Sequence, residues 1–103
     1  MFFLITGIDG TDENAMARRM EARPAHLKAC ELMKKDGQML FGAALLDDDG
    51  KMIGSIIVVQ VESRAAVDKY LATEPYVTGD VWRDINIQTI AVGSHFLPEP
   101  VKA

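Results

Sequence analysis

Apolar residues fall into four short blocks separated by polar, helix-forming stretches. The first block, residues 2–9, runs Phe2-Phe3-Leu4-Ile5 into Ile8 and closes at Gly10, the length and composition of a strand. Thr11 and Asp12 can cap a helix. From 13 to 36 the residues are mostly Ala, Met, Glu, Arg and Lys, strong helix formers that end at Gly37. Pro24 lies inside this stretch, which predicts a kinked helix or two segments with Pro24 in the first turn of the second. Apolar runs at 39–46 and 53–61 flank Asp47-Asp48-Asp49-Gly50, and Asp-Gly between two such runs signals a hairpin. Ser63 caps a shorter helix to about Thr73, where Glu74-Pro75-Tyr76 breaks it. Residues 82–91 alternate as a fourth strand, and the tail from about 92, with Pro98 and Pro100, reads as irregular.

The predicted order is βαββαβ, one α+β domain over 1–103 with two helices on one face of an antiparallel sheet. In the third strand Ile53, Ile57, Val59 and Val61 point one way while Ile56 and Val58 point the other, so both faces are apolar. Helices cover one. The other is a surface of the kind that marks a protein interface, and a homodimer through the sheet face is the expectation.

Composition narrows the function classes. Hydrophobic residues make up 49% and charged residues 25%, too apolar for disorder and too interrupted by charge for a membrane span. A net charge of −4 argues against nucleic acid, whose phosphates need clustered Lys and Arg. The start has no basic segment ahead of its apolar residues and reads as a strand, not a secretory signal. Cys30, the single cysteine, cannot form an internal disulfide. The cytoplasm is the expected compartment.

His26 is the residue best placed for chemistry. At 100° per residue, Lys28, Glu31, Lys34 and Lys35 share one arc of the helix, while Ala25, Ala29, Cys30 and Met33 share the opposite one with His26 near its middle. The imidazole then points at the sheet, and the small Ala22 and Ala29 on adjacent turns leave a cleft beside it. Arg19 and Arg23 precede His26 by seven and three residues and can bind a carboxylate. An imidazole exchanges a proton near neutral pH, and a carboxylate from Glu74, Asp36 or Asp80 can fix its tautomer. A plainer role stands beside each reading: a core histidine bonded to a backbone carbonyl, and arginines as solvated helix charges. His26 and Cys30 have the i, i+4 spacing of helical metal ligands, but His95 is the only other histidine, so no metal site and no cofactor are expected.

Three motifs in register, Arg23-Pro24-Ala25-His26-Leu27, Gly54-Ser55 and Glu74-Pro75-Tyr76-Val77-x-Gly79, resemble the YCII-related proteins, and the likeness runs from the first strand to about Ala91. The resemblance implies a ferredoxin-like fold of the dimeric α/β-barrel type. It also implies a pocket holding a His and an acidic partner, with muconolactone-type isomerases or dehalogenases among the relatives. His26 takes the histidine position, and Glu74 stands where the family usually has Asp. Two functions are expected from this. One is acid–base chemistry on a small organic acid, of the isomerase, lyase or dehalogenase type, with His26 and Glu74 catalytic and Arg19, Arg23, Ser55 and Tyr76 binding the substrate. The other is a non-catalytic dimer that binds a small anion in the same pocket.

Overall fold

The computed structural model describes residues 1–97. β1 (Phe2–Asp9) is a central strand, paired antiparallel on one side with β3 (Met52–Gln60) and on the other with β4 (Trp82–Ile90). β2 (Met39–Leu46) adds to the outer edge of β3, so the sheet order is β2-β3-β1-β4. The β2–β3 hairpin closes at the predicted turn, where Gly50 takes φ +82° and Asp47 Oδ1 accepts the amides of Asp49 and Lys51.

Strand alternation decides which residues meet the helices. Phe3, Ile5, Gly7 and Asp9 of β1 point inward beside Ser55, Ile57 and Val59 of β3. Val67 and Leu71 of α2 (Arg64–Leu71) close over them with Tyr76, Val81 and Trp82. Each fully buried aliphatic or aromatic side chain here is worth about 1.5–3 kcal/mol in apolar area removed from water. Gly7 is required by what lies on it: a Cβ there would sit 2.3–2.5 Å from the Trp82 ring, so the indole lies flat on bare backbone. The opposite sheet face carries Leu4, Ile56 and Val58, half-buried, with Ile8 and Phe41 exposed, and no helix covers it.

Three local expectations are corrected. The first helix, α1 (Ala15–Lys35), is one element with Pro24 inside it, not two segments. Met20 and Pro24 are both exposed, so the carbonyl that loses its Pro24 partner faces water. Its N-cap is Asn14, not Thr11 or Asp12. Asp12 instead accepts the Asn14 amide and holds Arg18 at 2.7 Å, which keeps its carboxyl well below the usual range. Finally, Glu74-Pro75 does not simply end α2. It starts a further turn, α3 (Pro75–Thr78), with Pro75 in the first position and Glu74 as N-cap. A 3₁₀ turn at Ser94–Phe96 follows β4, where the sequence reads as irregular, while Pro98 and Pro100 lie outside the described residues. No helix among the described residues is long and apolar enough to cross a membrane.

Candidate functional site

α1 buries two side chains, and both are polar: Arg19 and His26. Its sheet-facing stripe is Arg19, Ala22, His26, Cys30 and Met33, spaced three or four apart. Ala25, placed on that arc by the sequence reading, is exposed. Ala22 does not open a cleft either. It receives α3, where Gly79 comes so close that a Cβ on it would lie 3.3 Å from that of Ala22. Room beside His26 comes from the other side, where the small Gly42 and Ala44 of β2, registered with the inward Ile57 and Ser55, face α1 across a cavity of about 650 Å³. Arg19, Arg23, His26, Cys30, Ser55 and Tyr76 all line it.

His26 Nδ1 lies 2.5 Å from Glu74 Oε1, and the two side chains are 9% and 0% exposed. Of the three carboxylates open in the sequence, Glu74 is therefore the partner. Asp80 instead pairs with Arg83, its carbonyl accepts Arg18 Nε, and Asp36 caps the end of α1. Glu74 Oε1 also accepts the amide of Tyr76 at 3.2 Å, and Oε2 accepts the Tyr70 hydroxyl at 2.5 Å. Three donors converge on one carboxylate, the pattern that suits an ionised acceptor. An imidazole that donates from Nδ1 to Glu74 leaves Nε2 as its other polar atom, facing the cavity side, and Cys30 Sγ lies 3.5 Å from that nitrogen. Burial, with the Glu74 charge adding, pushes the Cys30 thiol up to about 11, so it stays protonated.

Aromatic rings hold the imidazole in place. Tyr76 stacks on it at 3.9 Å between centroids and 15° between planes, and the Trp82 ring meets it edge-on at 6.1 Å. Burial raises the Tyr76 phenol, partly offset by Arg19 and Arg23.

The two arginines part company. Arg19 Nη1 donates to both oxygens of Asp9, at 2.9 and 3.0 Å, and its guanidinium carbon lies 4.7 Å from the centre of the Tyr76 ring. Burial raises the Asp9 carboxyl, and the Arg19 charge pulls it part-way back. Arg19 Nη2 donates to Ser55 Oγ at 2.9 Å, and Trp82 Nε1 donates to the same oxygen at 3.4 Å. With its lone pairs so engaged, Ser55 is left with a hydroxyl proton to give, and no acceptor for it stands among the described residues. Arg23, half-buried at the cavity wall, makes no ion pair or hydrogen bond among the described residues. Asp9, Tyr70 and Trp82 are the site residues that the sequence does not single out. Asp9 was findable, since alternation from Phe3 and Ile5 turns it inward to face Arg19.

The model of the YCII-related domain matches residues 1–91. The chain belongs to the YCII-related family. Protein YciI of Escherichia coli O6:H1 and that of Shigella flexneri are each 26% identical over 94 residues, covering 85% of this chain and 94% of their own. Among solved structures, 5-chloro-2-hydroxyhydroquinone dehydrochlorinase (TftG) of Burkholderia phenoliruptrix AC1100, in complex with 2,5-dihydroxybenzoquinone, superposes with a TM-score of 0.78 at 24% identity, over 92% of this chain and 98% of its own. A dimeric ferredoxin-like protein of unknown function from Jannaschia sp. CCS1 superposes at 0.52 with 17% identity, over 88% and 98%. As a YCII-related domain the chain has the ferredoxin-like architecture that its motifs imply.

Proposed function

We propose that this YCII-related protein moves a proton on a small anionic organic molecule, as an isomerase, lyase or dehalogenase does, with His26 as the acid–base group. The observation that carries this is the His26–Glu74 contact at 2.5 Å, buried at the wall of an open cavity. Glu74 fixes the tautomer, so Nε2 is the atom that takes a proton from a carbon or hydroxyl next to a carbonyl. Ser55 gives its hydroxyl proton to the oxygen on which charge develops, and Arg23 pairs with a carboxylate or enolic oxygen. Tyr76 offers the edge of a buried ring to a planar substrate. Arg19 serves the site from behind, by holding Ser55. The likeness to a dehydrochlorinase seen with 2,5-dihydroxybenzoquinone supports a planar, enolic ligand.

Assembly is part of the same reading. The open sheet face, with Leu4, Ile56, Val58 and Phe41, packs against its copy to form a homodimer, supported by the dimeric ferredoxin-like neighbour.

One contact favours binding without turnover: Cys30 Sγ lies against Nε2, the atom that the chemistry needs free. Two measurements separate the readings. Calorimetry with 2,5-dihydroxybenzoquinone reports occupancy, and chloride release from 5-chloro-2-hydroxyhydroquinone, together with deuterium uptake by a panel of small oxo acids in D₂O, reports chemistry. His26→Ala is expected to lower turnover about 10²–10⁴-fold while the fold persists by circular dichroism. A folded His26→Ala protein that works at the wild-type rate refutes the catalytic reading, and wild-type binding with no exchange or release on any of these compounds establishes the other.

A further inference from the structure

We propose that Tyr70 is a positioning residue for the dyad: its hydroxyl clamps Glu74 Oε2 and so keeps Oε1 on His26 Nδ1, holding the imidazole as the Nδ1–H tautomer. This rests on the reading of His26 and Glu74 as the acid–base pair, and concerns what holds that pair in register.

A glutamate brings its carboxylate on a chain of three rotatable bonds, and the last of these has a broad, two-fold preference. Donors on one oxygen alone leave the group free to rock. Here Oε1 takes His26 and the Tyr76 amide, and Tyr70 alone holds Oε2. Glu74 is 1% exposed, so water does not stand in for a lost donor. Tyr70 is itself well anchored. It sits in the last turn of α2, whose first turn Ser63 caps, and the Tyr70 carbonyl accepts the Thr73 amide while that of Leu71 accepts the Glu74 amide. Four residues separate the two side chains along a backbone with little freedom. Burial, with the Glu74 charge adding, drives the Tyr70 phenol far above its ordinary range, so it remains a donor at every physiological pH.

The test is imidazole ¹⁵N–¹H correlation spectroscopy on uniformly labelled protein, with His95→Gln identifying the His26 signals. The wild type should show a downfield Nδ1 proton, an unprotonated Nε2, and a slowly exchanging Tyr70 hydroxyl proton with a cross-peak to the Nδ1 proton. Glu74→Gln should abolish the downfield signal. Tyr70→Phe should shift it and lower the Nδ1–H to Nε2–H tautomer ratio by about tenfold, as loss of a charge-assisted hydrogen bond predicts. Val67→Ala, a packing change on the same helix, should lower the melting temperature and leave the ratio alone.

Tyr70→Phe spectra matching the wild type while Glu74→Gln differs would overturn the proposal, as would Val67→Ala moving the ratio as much as Tyr70→Phe does. Absence of the Tyr70 hydroxyl cross-peak in the wild type would overturn it even if the Tyr70→Phe protein failed to fold. If Glu74→Gln also leaves the Nδ1 signal unchanged, it is the dyad that fails.

Discussion

Replacing Arg19 by Met tests whether the buried network behind Ser55 is held by charge. Arg19 and Asp9 side chains are 3% and 5% exposed, so removing the guanidinium leaves a carboxylate with neither partner nor water. Breaking a buried pair from one side costs about 3–5 kcal/mol. Asp9 can relieve part of that by taking a proton, which puts Arg19→Met near 3 kcal/mol at pH 8, a large part of the roughly 5–15 kcal/mol that holds an ordinary domain together. With a urea slope of about 1.5 kcal/mol per molar, the midpoint falls by about 2 M.

The pH dependence follows from Asp9. Burial already raises its carboxyl with Arg19 present, and losing Arg19 removes the two largest influences that pull it down and leaves only the Arg18 charge, so it rises further. A carboxyl whose folded pKa exceeds its unfolded one makes the folded state bind protons more tightly. The penalty is then full above the raised value and shrinks as pH falls toward the unfolded value, by up to about 1.4 kcal/mol per pH unit. Urea titrations followed by Trp82 fluorescence and circular dichroism at pH 8 and pH 5 measure this directly. Arg19→Met/Asp9→Leu, which removes both charges, should cost far less than the two single changes together. A cost below about 1 kcal/mol for Arg19→Met, equal costs at the two pH values, or a double variant that costs the sum would refute the account.

Three further outcomes follow from named contacts. Cys30, held near 11 against an ordinary 9.0, should react with iodoacetamide about 100-fold more slowly at pH 7.5 than an exposed thiol, its rate rising about tenfold per pH unit; a fast, pH-flat rate would contradict this. Gly7→Ala drives a methyl into the Trp82 ring and should cost about 1–3 kcal/mol by urea unfolding, with a shift in Trp82 emission; an unchanged midpoint would mean that the indole is free to move. Leu4→Glu places a charge at the centre of the open sheet face and should give a folded monomer by light scattering; a folded, dimeric Leu4→Glu protein would move the interface elsewhere.

Hydrophobic pattern made most of the fold legible. β1 and β2 match their predicted ranges and β3, α2 and β4 differ by one or two residues at their ends, because strand alternation and the Ser63 cap are local signals. The departures fall where solvent exposure or a nearby side-chain partner outranks the residue-type rule. Pro24 predicts a kink or a second segment, yet the Met20 carbonyl that it leaves without a partner lies on the exposed side and one helix runs through it. Thr11 and Asp12 have the side chains of a cap, yet Asp12 is taken by Arg18, six residues on, and Asn14 stands at the N-cap.

The site shows the same division at finer grain. His26 was legible from helical period alone, since it lies inward among small residues, and the family motif supplies Glu74. What neither gives is the division of labour around them. Arg19 and Arg23 look equivalent in sequence, but Asp9 pairs with the first and leaves the second as a cation with no ion pair among the described residues at the cavity wall. The Glu in place of the family Asp also changes meaning once its neighbours are known. Its carboxylate simultaneously caps α3 at Tyr76, meets His26 and accepts from Tyr70 four residues earlier. A side chain with one more methylene than Asp needs more fixing to hold one geometry, and Tyr70 is where this chain provides it.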